Sequence, residues 1–493
     1  MRVLGWALRR HVREFVISVV TAPSPAPTAT PPAVSRLRVL VWVLPPVVTA
    51  MLGGWRLTGA ALWADELATW GVVRLDWEQL WRLGGTVDAV VTPYYAALKV
   101  FAGFAGTGTF ALRLPSLVAA VLTAVVVAEI GRRAAGDTVG LLAGLLWAVL
   151  PVVSRYGQEA RPYAIAVLFA SIALLALLRL LDRPGVGRAA VYAAAVGLTG
   201  VFHPLSALLM VAGHGLAGVR VWRFWLPGAL AGGLPPAALL VYAAGQTAQI
   251  SWINPVGVQT LRLLPAQLFV SAITGGVVLG LAIAGLRRDS IGWALAAAGF
   301  LPPALLLAVG TVAEIWVPRY VLVAMPALVV LAARAAGSRT AAVIGLVALL
   351  GWPTHVDIRE PAGHGEDSAR IAQVVQQRYR AGDVAVFPDG PSSIGWAPRD
   401  MWARYLRDPR PADVLAVSGQ RVDGRFLAAE CPEAACLGAP PRIWIIRVDS
   451  PADPLADMSD AKRALIGGAY RVVQRWSYPL LGITLMERVP AGR

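Results

Sequence analysis

An α-helical polytopic membrane protein with a small extracytoplasmic α/β C-terminal region is the class this sequence predicts, on three observations. Hydrophobic residues fill 57% of the 493 positions and charged ones 15%, too apolar for an ordinary soluble enzyme. The apolar residues gather into runs of membrane-crossing length. Arginines cluster at every second junction between those runs.

About eleven spans are expected by length and apolarity. They lie near Val39–Thr58, Leu112–Ile130, Val139–Val153, Tyr163–Leu180, Ala189–Phe202, Leu205–Val219, Leu226–Ala244, Leu264–Leu286, Ile291–Val312, Tyr320–Ala333 and Ala341–Trp352. Pairs such as Pro45-Pro46 and Pro302-Pro303 kink such helices without excluding them. The formal charge is +15, but from His355 onward 18 basic and 17 acidic residues nearly cancel. The preceding part holds 26 basic against 12 acidic residues, spread over short loops. That spread orients a membrane protein, and no nucleic-acid partner is expected.

Arg36, Arg38, Arg132-Arg133, Arg179, Arg183, Arg188, Arg220, Arg223, Arg287-Arg288, Arg334 and Arg339 mark the cytoplasmic junctions. The N-terminus is then cytoplasmic and the C-terminal region outside. Residues 1–38 are expected as a cytoplasmic tail and linker, 39–354 as the membrane part with its first outer loop at about 59–111, and 355–493 as the outer α/β region. Phe15–Val20 is too short for a secretory signal core, and Thr21–Pro32 is Pro-rich. In the last region Ser368–Tyr379 reads as an amphipathic helix. Asp383–Phe387, Arg442–Val448, Arg471–Ser477 and Ile483–Val489 read as strands. Cys431 and Cys436, the only cysteines, favour a disulfide over a metal site in that compartment, and no protein metal site is expected.

The polar residues of the other junctions carry the chemistry. Asp65-Glu66 follow the first span, flanked by Trp63 and Trp70. A carboxylate there suits removal of a proton from an acceptor hydroxyl, with a lipid-borne donor meeting an acceptor from outside. The plainer alternative is a helix-capping Asp in an aromatic belt that includes Tyr94 and Tyr95. Arg155 through Tyr163 reads Arg-Tyr-Gly-Gln-Glu-Ala-Arg-Pro-Tyr. Pro162 opens a helix there, leaving Arg161 near its positive end, a place for a phosphate. An Arg161–Glu159 ion pair is the structural alternative. His203-Pro204 and Pro318-Arg319-Tyr320 stand at two more such junctions; a packing His and a snorkelling Arg are their plainer readings.

Trp63-Ala64-Asp65-Glu66, Thr92-Pro93-Tyr94-Tyr95, Ala111-Leu112-Arg113-Leu114-Pro115-Ser116, Tyr156–Tyr163, His203-Pro204 and Pro318-Arg319-Tyr320, in that order, resemble the GT-C glycosyltransferases. The branch most similar is that of the protein O-mannosyltransferases and aminoarabinose transferases, over about residues 39–335. The resemblance implies a multi-helix transferase of the bacterial plasma membrane using a polyprenyl-phosphate sugar donor. It implies Asp65 as the catalytic base, supported by Glu66, and Arg161 and Arg319 on the donor phosphate. Tyr94, Tyr95, Tyr156, Gln158, Glu159, Tyr163, His203 and Tyr320 would line the donor and acceptor pocket. Relatives often carry His-Pro-Pro-Leu-Tyr-Tyr where this chain has Val91-Thr92-Pro93-Tyr94-Tyr95, so the His role does not transfer.

A phosphate leaving group needs positive charge as the glycosidic bond breaks, and the acceptor needs a base on the opposite sugar face. One displacement would invert the anomeric centre; a double displacement usually needs a second carboxylate. Mannose is the first expectation for the sugar, arabinose or another pentose the next. The acceptor is a hydroxyl of a glycan, a glycolipid or a protein. The sequence establishes no cofactor, and a divalent metal is left open. A lipid-linked substrate transporter or flippase is the rival class, but its polar groups belong near the bilayer midplane, where this chain has few. Only two lysines, Lys99 and Lys462, among many arginines suit a bacterial chain of high GC content.

Overall fold

The structure is a computed structural model that describes residues 36–246, 253, 255–336, 339–390, 394–432 and 436–490. The chain divides into Met1–Val39 and Leu40–Arg493. Of the first unit only the start of one helix is described, so the expected N-terminal tail lies almost wholly outside the described residues.

Apolar runs become helices because hydrocarbon offers their backbone no partners. Helix α1 is Arg36–Gly54. The next stretch folds as three helices, α2 (Ala64–Val73), α3 (Trp77–Thr86) and α4 (Thr92–Ala105). Helix α5 (Thr109–Val149) has 41 residues and leaves helical geometry at Ala135 and Gly136, where Gly136 takes φ 88°. It is therefore two spans. Then come α6 (Pro151–Gly157), α7 (Tyr163–Asp182), α8 (Val186–Phe202), α9 (Pro204–Gly218) and α10 (Trp222–Ala243). They are followed by α11 (Val258–Arg262), α12 (Leu264–Phe269), α13 (Ala272–Ala284) and α14 (Ser290–Gly310). A 3-10 turn, Pro318–Ala324, runs into α15 (Met325–Ala336), and α16 is Thr340–Asp357.

Among the described residues six helices are long and apolar enough to cross a membrane, two of them 41 and 40 residues long. Each of those two holds a pair of spans. With the shorter apolar helices Val186–Phe202, Ala272–Ala284 and Ala341–Asp357, eleven apolar segments stand among the described residues. One expected span, Leu264–Leu286, is broken. Val270 takes φ 65°, and Ser271 restarts the chain by accepting the Thr274 N–H.

Small residues let these helices approach closely. A Cβ at Gly144 would lie 2.6 Å from the Pro45 ring, and one at Gly200 would lie 2.5 Å from Pro236. The prolines thus fill notches in the neighbouring helix.

The C-terminal region adds strands β1 (Val384–Val386), β2 (Arg442–Arg447), β3 (Tyr470–Tyr478) and β4 (Leu481–Arg488), with helices α17 (Trp396–Tyr405) and α18 (Asp460–Ala469). The sheet order is β1-β2-β4-β3; β1 and β2 are parallel, the other pairs antiparallel. The expected helix Ser368–Tyr379 shrinks to a short turn with a π segment at Ala372–Gln376. Its polar residues are taken by other contacts: Gln376 donates to Pro409 O, and Arg378 stacks on Trp476. Cys431 and Cys436 form a disulfide. Asp383 pairs with buried Arg442 and accepts the Trp444 indole N–H, which gives it a structural task.

Residue alternation assigns the sheet's two faces. Val384, Val386, Ile443, Ile445 and Met486 pack with Ile466 of α18. Ala385, Trp444, Ile446, Ile483 and Leu485 pack in one core with Leu62, Leu67, Trp70, Leu83 and Tyr94. The sheet is thus bonded to the stretch between α1 and α5 by a shared apolar core.

We expect Gly200→Val to lower stability in detergent by about 1–3 kcal/mol through overpacking against Pro236, read as an earlier thermal transition.

Candidate active site

Helix α2 starts without a cap of its own, since Trp63 offers no side-chain acceptor. The Ala64 N–H is instead taken by the carboxylate of Glu366, at 2.9 Å. Asp65 and Glu66 fill the first turn, where the helix dipole favours negative charge.

Glu66 is fully buried. It accepts two hydrogen bonds from Arg113, at 2.8 and 2.6 Å, and one from the Ala160 N–H at 2.7 Å. Arg113, equally buried, also donates to the carbonyls of Leu57, Ala60 and Ala61. Burial alone would raise the Glu66 pKa, but Arg113, with a smaller part from His364, holds the carboxyl well below the usual carboxylate range. With both oxygens engaged and no exposed surface, Glu66 is placed to hold the framework rather than to meet an acceptor.

Asp65 is different. Its side chain is 22% exposed and sits between two guanidiniums, with Oδ2 3.5 Å from Arg319 Nη2 and 3.7 Å from Arg161 Nε. Arg161 Nη1 donates to the Tyr95 hydroxyl, which donates to Asp88. Arg319 Nε donates to the Tyr163 hydroxyl at 2.8 Å. Burial raises the Tyr95 pKa well above its ordinary value, and neighbouring Asp88 adds to that. Tyr95 therefore stays a neutral donor.

An aromatic row continues from Tyr163. Its ring lies 5.8 Å from Tyr156 and 5.6 Å from His203, and His203 lies 4.7 Å from Tyr320. Tyr94 is buried beside Tyr95, ring centres 6.0 Å apart. Arg155 lies over both Trp63 and Tyr156 and pairs with Glu159 at 3.2 Å. Glu159 also accepts the Trp63 indole N–H at 2.9 Å. In place of the alternative Arg161–Glu159 pair the structure has Arg155–Glu159, which leaves Arg161 to Asp65. Gln158 does not join the cluster by its amide N–H groups. They donate to the carbonyls of Gly53 and Trp55 at the end of α1.

Among the described residues no three His, Cys, Asp or Glu side chains converge in a set that would hold a metal ion.

A family model described as dolichyl-phosphate-mannose-protein mannosyltransferase matches residues 90–226. Crystal structures of ArnT from Cupriavidus metallidurans superpose over 92% of this chain and 99% of that one, at 14% identity. The TM-score is 0.58 for the form bound to undecaprenyl phosphate and 0.59 for the apo form. The fold is the one seen in these ArnT structures. No curated protein sequence matches the chain.

Within this fold, Asp65, Arg161, Arg319, Tyr95, Tyr163, His203 and Tyr320 gather at one end of the bundle, although they lie up to about 250 residues apart. Four participants were not singled out by sequence. Arg113 lay inside a recognised motif but carried no role. Asp88 had no signal beyond its place in the same loop. His364 and Glu366 come from the segment after α16, far from every motif.

His364 is buried, with Nδ1 3.7 Å from Glu66. Burial first, then Arg155, lowers its pKa to about 3, so it is neutral in the folded protein. The unfolded chain takes up that proton below the ordinary value of about 6.5, so stability falls as pH drops from there toward 3. At pH 5 the loss from this one group is on the order of 2 kcal/mol. Thermal unfolding at pH 7 and pH 5 should show it, and His364→Gln should flatten the difference.

Proposed function

We propose that this chain is a membrane glycosyltransferase that moves a sugar, with mannose the first choice, from a polyprenyl-phosphate donor to a hydroxyl acceptor outside the cytoplasm. The observation that carries the reading is Asp65 between Arg161 and Arg319, 3.7 and 3.5 Å away. Arg161 and Arg319 hold the donor phosphate and take up the negative charge that grows as the glycosidic bond breaks. Asp65 accepts the proton of the incoming hydroxyl. The phosphate and Asp65 share the same guanidiniums. Donor binding therefore loosens the ion pairs that hold Asp65 at rest and frees its carboxylate to turn to the acceptor.

The surroundings of Asp65 support a single inverting displacement. A double displacement needs a second carboxylate near the sugar. Glu66 is enclosed by Arg113 and Ala160 N–H, and Glu159 by Arg155 and Trp63. Tyr163, His203 and Tyr320 line the donor side, and Tyr95 orients Arg161. The undecaprenyl phosphate seen on the ArnT fold supports a polyprenyl carrier here. A plasma-membrane chain with residues 1–38 in the cytoplasm, 39–354 in the membrane and 355–493 outside completes the reading. Its support is that residues 361–368 bond directly to the loop bearing Asp65, in keeping with both lying on one side of the membrane.

Purified protein supplied with polyprenyl-phosphate mannose, a polyprenyl-phosphate pentose and membrane acceptors tests this. Asp65→Asn should lower kcat by about 10²-fold or more while the protein stays folded. Wild-type turnover in that variant would remove Asp65 as the base. Arg161→Ala should weaken donor binding by about tenfold or more, the loss of a charge-assisted contact, with acceptor KM little changed. Transfer of the pentose alone would correct the sugar.

A further inference from the structure

The segment after α16 reaches back under the site and holds residues 61–64 by three bonds. The Ala61 N–H donates to Pro361 O at 3.0 Å. Ser368 Oγ donates to Leu62 O at 2.5 Å. The Ala64 N–H donates to Glu366 Oε2 at 2.9 Å. Between them Gly365 takes φ +155°, and a Cβ there would come within 3.0 Å of Trp63 Cβ. Gly365 therefore packs closely against Trp63, with no room for a side chain between them.

The third bond has a geometric consequence. The first N–H groups of a helix lack internal partners, and a residue just ahead of the helix ordinarily supplies one. Trp63 has no acceptor to give. Glu366, almost wholly buried, supplies it from 302 residues away. Ala64 is the first residue of α2 and Asp65 the second. Anchoring the Ala64 N–H sets the direction of the first turn, and with it the direction in which Asp65 leaves the helix toward Arg161 and Arg319.

We propose that Glu366 is a positioning residue for Asp65, a helix cap delivered by the segment that follows the last membrane helix, so that the region after residue 355 completes the catalytic centre rather than merely adjoining it. This rests on the transferase reading above. Glu366 touches neither donor nor acceptor in it. Its whole task is to accept one N–H, which a carboxamide oxygen can also do. Burial raises the Glu366 pKa, in keeping with a task that needs an acceptor oxygen and not a charge.

The test uses full-length protein in three forms: wild type, Glu366→Gln and Glu366→Ala. Steady-state transfer is measured with polyprenyl-phosphate mannose varied, beside hydrogen–deuterium exchange of the peptide covering Leu62–Trp70. Misplacing a catalytic group by about 1 Å costs on the order of 10²-fold, so Glu366→Ala should lower kcat by about tenfold to a hundredfold with donor KM within about twofold. Glu366→Gln should stay within about threefold of wild type in kcat, since its amide oxygen keeps the cap. Exchange of the Leu62–Trp70 amides should speed up in Glu366→Ala and not in Glu366→Gln. An unchanged kcat and exchange in Glu366→Ala, or a Gln variant as impaired as the Ala variant, would overturn the proposal. If wild type moves neither the mannose nor the pentose donor, the transferase reading fails, and the exchange comparison alone decides whether Glu366 caps α2. If Glu366→Ala does not fold, Glu366→Asp, one methylene too short to reach, replaces it in the same comparison.

Discussion

Two opposite charges, Glu66 and Arg113, meet where water is excluded. Taking both ions out of water costs several kcal/mol each, repaid only when geometry and extra hydrogen bonds are good. Here they are. Arg113 spends its guanidinium on Glu66 and on three carbonyls of the turn leaving α1. Glu66 adds the Ala160 N–H. One pair thereby joins the exit of the first membrane helix, the helix bearing Asp65, the following span and the turn bearing Arg161. Asp65 stands one residue from Glu66, and Arg161 one residue from Ala160. The distance between the proposed base and its guanidinium partner is inherited from this buried contact.

The second layer of control is a relay of neutral and charged groups. Asp88 accepts from Tyr95, Tyr95 accepts from Arg161, and Arg161 faces Asp65. On the other flank Tyr163 holds Arg319. Each guanidinium is thus fixed by a phenol that burial keeps protonated on the Tyr95 side. Such fixed donors need little reorganisation when charge shifts during a reaction.

What could be read from sequence was sidedness. Asp65, Arg161, His203 and Arg319 stood at alternate junctions of apolar spans, and spans of membrane length leave only two ends at which junctions can gather. Their gathering at one end of the bundle follows from that. The partners of each group did not. Glu66 looked like Asp65, because nothing local distinguishes a carboxylate facing a cavity from one facing Arg113, 47 residues on. Gln158 sat in the most specific motif yet serves the last carbonyls of α1. The strands Arg442–Arg447 and Leu481–Arg488 were legible as short runs rich in apolar and β-branched residues, and both are buried over most of their length. Ser368–Tyr379 kept a helical pattern, but its polar residues answer to distant partners, and local periodicity does not record those.

The strap formed by residues 361–368 has a bearing on biosynthesis. Its bonds to residues 61–64 close a circuit of about 300 residues, and contacts of such separation form late. A nascent chain whose final span has not yet left the ribosome has the segments that carry Asp65, Arg161 and His203, but no Glu366 to accept the Ala64 N–H ahead of Asp65. A chain truncated upstream of that point would keep its membrane helices but lack all three bonds that seat residues 61–64.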